Sequence, residues 1–363
     1  MSKLNALSDL GQSVWFDYIQ RSLITGGKLQ KLINLGIRGV TSNPTIFEKA
    51  ITENTDYDQL IKMMSEAGAS VDQIYETLSF EDVGDAADLF LPIYESSEAE
   101  DGYVSIEVSP KLAYNTAGTI EEGKRIFSLL NRPNIMIKVP ATNEGIPAIR
   151  ELIGSGVNVN ATLMFNEKHY RAVSEAYISG LEQLRNRGGD LRKAASVASF
   201  FISRVDASVD KALEQAGNSE LQGKISIANG KKVYRIFQEV FSGIRWEELV
   251  RADARVQRVL WASTGTKNPD YPDTLYVDEL IGKHTVNTLP PSTLSFFVDH
   301  GVVKETITNG LPEADLFLKE LKQLGISLED ITEKLQEEGV QSFIASYDNL
   351  LQAIAEKQKG IRI

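Results

Sequence analysis

The sequence predicts an α/β protein built as a (β/α)8 barrel with additional inserted and C-terminal helices. Three observations lead there. Eight short apolar runs recur along the chain, at Val14–Phe16, Gly39–Thr41, Val104–Val108, Ile135–Val139, Val157–Phe165, Ala195–Ile202, Val259–Ala262 and Thr285–Leu289. Longer amphipathic stretches separate them, and strands alternating with helices argue for a parallel sheet. The first run leads into Tyr18-Ile19-Gln20-Arg21. The rival doubly wound sheet calls for a Gly-rich nucleotide turn at that point.

Each run has the length and near-continuous apolar character of a strand buried on both faces. Between the first two, Lys28–Leu35 is apolar at Leu29, Leu32, Ile33 and Leu35, and Gly36 follows where a helix C-cap belongs. Thr119–Leu130 places Ile120, Ile126, Phe127 and Leu130 near one face. The long intervals before Val104 and between Ile202 and Val259 read as inserted helices, not as separate domains. Ser327-Leu328-Glu329-Asp330 resembles a capping box opening a helix. Beyond Gly339, Val340, Phe343, Ile344, Tyr347, Leu350, Leu351 and Ile354 share one helical face, which reads as a helix packed over the barrel. The expected organisation is one TIM-barrel domain over residues 1–363, with about 311–363 as a helical extension packed on it.

Composition narrows the function classes. The chain has 363 residues, 42% of them apolar, which is enough to bury a large core. Its formal net charge is −12 and no basic run occurs, which argues against a nucleic-acid partner. No apolar stretch approaches the ~18 residues of a membrane span. Asp9 interrupts the start before a signal-peptide core could form. Cysteine is absent, so disulfides, thiolate nucleophiles and Cys-ligated zinc are excluded, and a cytoplasmic location is expected. His169, His284 and His300 lack metal-binding spacing. Gly118-Thr119-Ile120-Glu121-Glu122-Gly123-Lys124 nearly spells a phosphate loop, but Arg125 replaces the hydroxyl residue and two glutamates would repel phosphate.

The informative residues are polar ones that interrupt apolar strands, because the C-terminal strand ends of a barrel meet at one mouth. In Asn134-Ile135-Met136-Ile137-Lys138-Val139-Pro140 a lysine follows three large apolar residues. Lysine is almost never fully buried, and a dry setting favours the neutral amine, a nucleophile toward carbonyls. A strand-end lysine reaching solvent or pairing with a carboxylate would also fit this segment. The other strands break in the same manner: Asp17 after Trp15-Phe16, Asn43 after Thr41-Ser42, and Glu107 within Ser105–Ser109. Asn160 and Thr162 fall on one face of the fifth run, Ser199 and Arg204 flank the end of the sixth, and Lys267 lies in the loop after the seventh. Seven consecutive strands ending this way point to one shared polar site.

Thr41-Ser42-Asn43-Pro44-Thr45 and Ile135-Met136-Ile137-Lys138-Val139-Pro140-Ala141-Thr142, followed by Gly145-Ile146, resemble the signatures of the transaldolase family. Asn158-Val159-Asn160-Ala161-Thr162-Leu163 and the Ser199 to Arg204 run continue the likeness in order, from about residue 10 to the C-terminal helix. The length resembles the longer bacterial type. The resemblance implies a class I aldol mechanism with no metal and no cofactor, acting on small-molecule sugar phosphates in the pentose phosphate pathway. A dihydroxyacetone unit would pass from sedoheptulose 7-phosphate or fructose 6-phosphate to glyceraldehyde 3-phosphate or erythrose 4-phosphate. By position, Lys138 matches the Schiff-base lysine and Asp17 the acid/base group at the C4 hydroxyl. Glu107 and Thr162 match the pair holding a catalytic water. Asn43 and Asn160 match the amides on donor hydroxyls, and Ser199 and Arg204 the phosphate contacts. Lys267 stands where the family commonly has arginine, keeping a charge but losing a bidentate fork. Fructose 6-phosphate aldolases share the barrel and the lysine but tend to carry Gln and Tyr where this chain has Glu107 and Phe201, so the resemblance favours transfer. A sugar-phosphate-binding barrel without catalysis is the rival from another class.

Overall fold

The computed structural model describes residues 2–361. Eight parallel strands close into a barrel: β1 (Gln12–Phe16), β2 (Val40–Thr41), β3 (Val104–Glu107), β4 (Ile135–Pro140), β5 (Val159–Met164), β6 (Ser196–Phe201), β7 (Arg258–Ala262) and β8 (Thr285–Leu289). Each coincides with one of the eight apolar runs, and β8 pairs with β1 from Gln12↔Thr285 to Phe16↔Leu289. Alternation along β4 shows how such a run divides its side chains. Ile135, Ile137 and Val139 pack outward into the core shared with the helix shell. Met136 and Lys138, on the opposite face, point into the barrel, where Met136 joins an inner cluster with Trp15, Val197, Leu260 and Val286.

The helix Lys28–Leu35 forms as its spacing predicts, with Leu29 and Ile33 buried. Gly36 ends it at φ +127°, where a Cβ would stand 2.8 Å from the Leu4 side chain. The Thr119–Leu130 pattern belongs to a helix that starts earlier, at Thr116, because the Asn115 side chain accepts the Gly118 N–H and caps it. Its buried stripe runs through Thr119, Gly123, Ile126 and Leu130, which leaves Ile120 and Phe127 half-buried at its edges. The first long interval holds the helices Pro44–Thr52, Asp58–Glu66 and Val71–Ser96. The second holds Ser203–Gln215, Ile225–Val240 and Ile244–Val250. No helix among the described residues is long and apolar enough to cross a membrane.

After the helix Leu311–Gln323, the last helix runs unbroken from Leu328 to Ile361. Ser327 accepts the Asp330 N–H at 3.1 Å, which is the first half of the anticipated box. Val340, Phe343, Leu350 and Ile354 are buried on its inner face. It packs along Pro44–Thr52, Asp58–Glu66 and Val71–Ser96 and reaches the C-terminal end of β5. Polar ties hold it there. Thr332 meets Asn166, Ser346 meets Thr45, and Lys357 pairs with Asp58. The helix therefore passes over the same end of the barrel at which the polar strand ends converge.

Candidate active site

Strand register assembles the centre of the site. Glu107 pairs with Lys138 across β3 and β4, and Lys138 pairs with Asn160 across β4 and β5. Three polar side chains thus lie in one row on three neighbouring strands, all in the inward phase of the pleat. Above them is a cavity of about 450 Å³ lined by Asp17, Thr41, Asn43, Lys138, Thr162, Ser199, Arg204, Lys267, Thr288 and Phe343, among others.

Lys138 is 5% exposed. Its Nζ donates one long hydrogen bond, 3.3 Å, to the Ser42 carbonyl. Glu107 Oε2 stands 3.9 Å away, too far for a hydrogen bond. The Phe343 ring lies over the nitrogen at 5.5 Å, within the range of a cation–π contact. The residue is therefore buried, faces the cavity and is not locked to a carboxylate.

Both Glu107 oxygens and the Thr162 hydroxyl are buried without a hydrogen-bond partner among the described residues. Buried polar atoms seldom stay unpaired in folded proteins. Here Thr162 lies on the cavity and Glu107 beside Lys138, so both stand ready to take polar partners. Burial pushes the Glu107 carboxyl up to about 7, opposed by Lys138 and reinforced by Asp17. Asp17, one residue past β1, is raised by burial and drawn back by Lys138, by its Thr41 hydrogen bond and by Lys267. Thr41 Oγ1 donates to Asp17 Oδ1 at 2.7 Å, and Thr288 Oγ1 lies 2.6 Å beyond Thr41. A chain of hydroxyls from β2 and β8 thereby fixes the carboxylate on β1.

The amides are placed differently from one another. Asn43 caps the helix Pro44–Thr52 through its Oδ1, which accepts the Ile46 N–H at 3.0 Å. Its amide nitrogen is left for the cavity. Asn160 is fully buried below the cavity floor. It donates to Ser105 Oγ at 3.1 Å and accepts from Ser199 Oγ at 2.6 Å. Ser199 lines the cavity but spends its one proton on Asn160, so a ligand there meets its lone pairs unless the hydroxyl turns.

Arg204, in the first turn of Ser203–Gln215, and Lys267, in the loop after β7, form the cationic wall. Neither has a carboxylate within 4 Å among the described residues. Burial lowers the Arg204 guanidinium's pKa. Burial, and then the Arg204 charge, lower that of Lys267. Asp17 opposes part of that shift on Lys267, but neither cation has a carboxylate in contact among the described residues, which favours an anionic ligand.

All nine residues singled out from the sequence sit at this end of the barrel, eight on the cavity or directly beneath it and Glu107 beside Lys138. Three contributors went unassigned. Thr41 stood inside a quoted motif, but nothing local signals that its hydroxyl serves Asp17. Thr288 closes the eighth strand, whose run carries no charge to draw attention. Phe343 reads as one more apolar residue on an amphipathic face.

The profile of the transaldolase/fructose-6-phosphate aldolase family matches residues 14–354. A protein named transaldolase from Arthrobacter sp. (strain FB24) is 47% identical over 350 residues, covering 95% of this chain and 94% of that one. Proteins of the same name from Mycobacterium marinum and Thermobifida fusca are 46% and 44% identical, with at least 95% of either sequence covered. With the family profile spanning nearly all of the barrel and identities this high over both partners' lengths, the chain belongs to the transaldolase/fructose-6-phosphate aldolase family and is an enzyme of the transaldolase type.

Proposed function

We propose that the protein transfers a dihydroxyacetone unit from sedoheptulose 7-phosphate or fructose 6-phosphate to glyceraldehyde 3-phosphate or erythrose 4-phosphate, through a Schiff base on Lys138, as a cytoplasmic step of the pentose phosphate pathway. The observation that carries this reading is the state of Lys138: buried in the barrel, facing a polar cavity, and bound only by one long contact to a carbonyl. A structural lysine at that depth needs a paired charge. A nucleophile needs freedom to form a bond.

In this reading the free amine of Lys138 adds to the C2 carbonyl. The carbinolamine loses water with a proton from Glu107, passed through a water held by Glu107 and Thr162. Their three unpartnered oxygens support that role. A carboxyl group near 7 is suited to give and take protons at neutral pH. The iminium then draws electrons from the C3–C4 bond as Asp17 removes the C4 hydroxyl proton. The aldose leaves, and a three-carbon enamine remains on Lys138 until an acceptor aldehyde arrives and the steps reverse. Asn43 orients a donor hydroxyl with its amide nitrogen, and Asn160, beneath the floor, does so with the amide proton it does not give to Ser105. Ser199, Arg204 and Lys267 receive the phosphate, which the unpaired cationic wall supports. No cofactor or metal is assigned a part. Glu107 and Phe201, in place of Gln and Tyr, favour transfer over release of free dihydroxyacetone.

The test combines trapping with a coupled assay. Borohydride reduction in the presence of fructose 6-phosphate should add a dihydroxyacetone-derived mass to the peptide containing Lys138, and Lys138→Ala should abolish both adduct and turnover. Fructose 6-phosphate alone should release at most one equivalent of glyceraldehyde 3-phosphate per enzyme, and continued release should require erythrose 4-phosphate. Multiple-turnover release from fructose 6-phosphate alone would make the protein an aldolase. Failure to trap any adduct would leave only a binding protein.

A further inference from the structure

We propose that Gln336, on the last helix, is a positioning residue for Thr162 and acts by holding a strained turn at Leu163. The inference rests on the assignment of Thr162 to the water beside Glu107.

Strand β5 is regular as far as Thr162, which pairs with Pro140 of β4. Against β6 it then slips. Ala161 pairs with Ala198, but Met164 pairs with Phe200, so three steps on β5 answer two on β6. The extra residue is Leu163, whose φ is +60°. A leucine in the left-handed region is disfavoured by contact of its Cβ with the backbone, and it persists only where its surroundings enforce it. Regular alternation would send Leu163 outward with Ala161 and turn Met164 inward. The packing is the reverse. Met164 joins the outer core, and Leu163 joins the cluster beneath the last helix with Val340 and Phe343.

Two features of that helix fit this turn. The Gln336 amide nitrogen donates to the Leu163 carbonyl at 2.9 Å and to the Ala141 carbonyl at 3.0 Å. These two carbonyls flank the last rung between the strands, where the Ala141 N–H donates to the Thr162 carbonyl at 2.7 Å. One side-chain amide, with two protons, thus ties the ends of β4 and β5 together on either side of Thr162. One turn further along, Gly339 gives Leu163 its room, since a Cβ there would approach Leu163 Cδ2 to 2.9 Å. Bulges next to active sites re-aim side chains. Here the bulge ends the strand immediately after Thr162, and a residue distant in sequence holds it shut.

Glutamate in place of Gln336 keeps the size but removes both donated protons. Steady-state assay with fructose 6-phosphate and erythrose 4-phosphate should show Gln336→Glu lowering kcat by about tenfold, as expected for a small displacement of a reacting group, with KM for the ketose changed by less than about twofold. In a Thr162→Ala background, itself impaired, the same change should cost less than about twofold further, because groups that act as a unit are not additive. Gly339→Ala presses on Leu163 directly, with a residue that favours helix, and should reproduce both results even if Gln336→Glu disturbs folding. A full tenfold loss on top of Thr162→Ala would overturn the positioning role and leave the water assignment standing. Wild-type turnover by Thr162→Ala would remove both. Gln336→Glu and Gly339→Ala at wild-type kcat, with only a lowered Tm, would reduce the contact to a structural one.

Discussion

At the N-terminal end of the strands, Arg258 and Asp101 form a buried pair at 2.9 Å. Ser13 and Trp15 donate to the same carboxylate, and Arg258 donates also to Ser13 and to the Glu100 carbonyl. At the opposite end, Lys138 and Glu107 are equally buried but 3.9 Å apart, and the carboxylate has no hydrogen-bond partner among the described residues. Desolvating charge is costly at both ends. The first end offsets the cost with hydrogen bonds, and the second leaves it standing. The contrast separates a pair that holds the barrel together from one left unsatisfied, as the roles proposed for Lys138 and Glu107 require.

The contrast can be broken from either side. Arg258→Met should cost about 3–5 kcal/mol by stranding Asp101 in the interior, seen as a lowered denaturation midpoint, while kcat of the folded fraction stays unchanged. A drop in kcat without loss of stability would erase the distinction between the ends. Glu107→Gln should do the opposite, lowering kcat by about 10²-fold while Tm holds or rises, since it removes an unpartnered buried carboxyl. The pH dependence sharpens this. Glu107 is near 7 in the folded protein against an ordinary 4.5. Between those values the native state binds more protons than the unfolded chain, so this group's contribution to stability falls as pH rises through that window. The Tm advantage of Glu107→Gln over wild type should therefore grow between pH 4.5 and 7 and level off above it. A gap independent of pH would mean that Glu107 titrates normally. The smallest effect belongs to the rim. Lys267→Ala should raise KM for the sugar phosphate roughly fivefold, the equivalent of the ~1 kcal/mol typical of an exposed charge contact, and added salt should shrink the difference.

What the sequence made legible follows the same division. The strands could be read because parallel strands buried on both faces leave continuous apolar runs, and a lysine or carboxylate inside such a run stands out. Ile135–Val139 with Lys138 is the clearest instance, and Ser105–Val108 with Glu107 the next. The supports were not legible. Thr41 and Thr288 meet only when the barrel closes β1 between β2 and β8. Phe343 has the same character whether it faces a core or a cavity. Leu163 carries no mark of its left-handed backbone, because the glycine that accommodates it is Gly339, on another element. Periodicity and local chemistry reveal what one element does by itself; these residues act only through a partner far along the chain.

Phe343 over Lys138 and Gln336 across the strand ends also set an order of assembly. The ribosome delivers every barrel strand before it delivers the helix that carries these two residues. A nascent chain can close its barrel while the amine is still open to bulk water and the rim around Thr162 is still untied. The docking of Leu328–Ile361 is therefore the step that covers the amine and ties the rim.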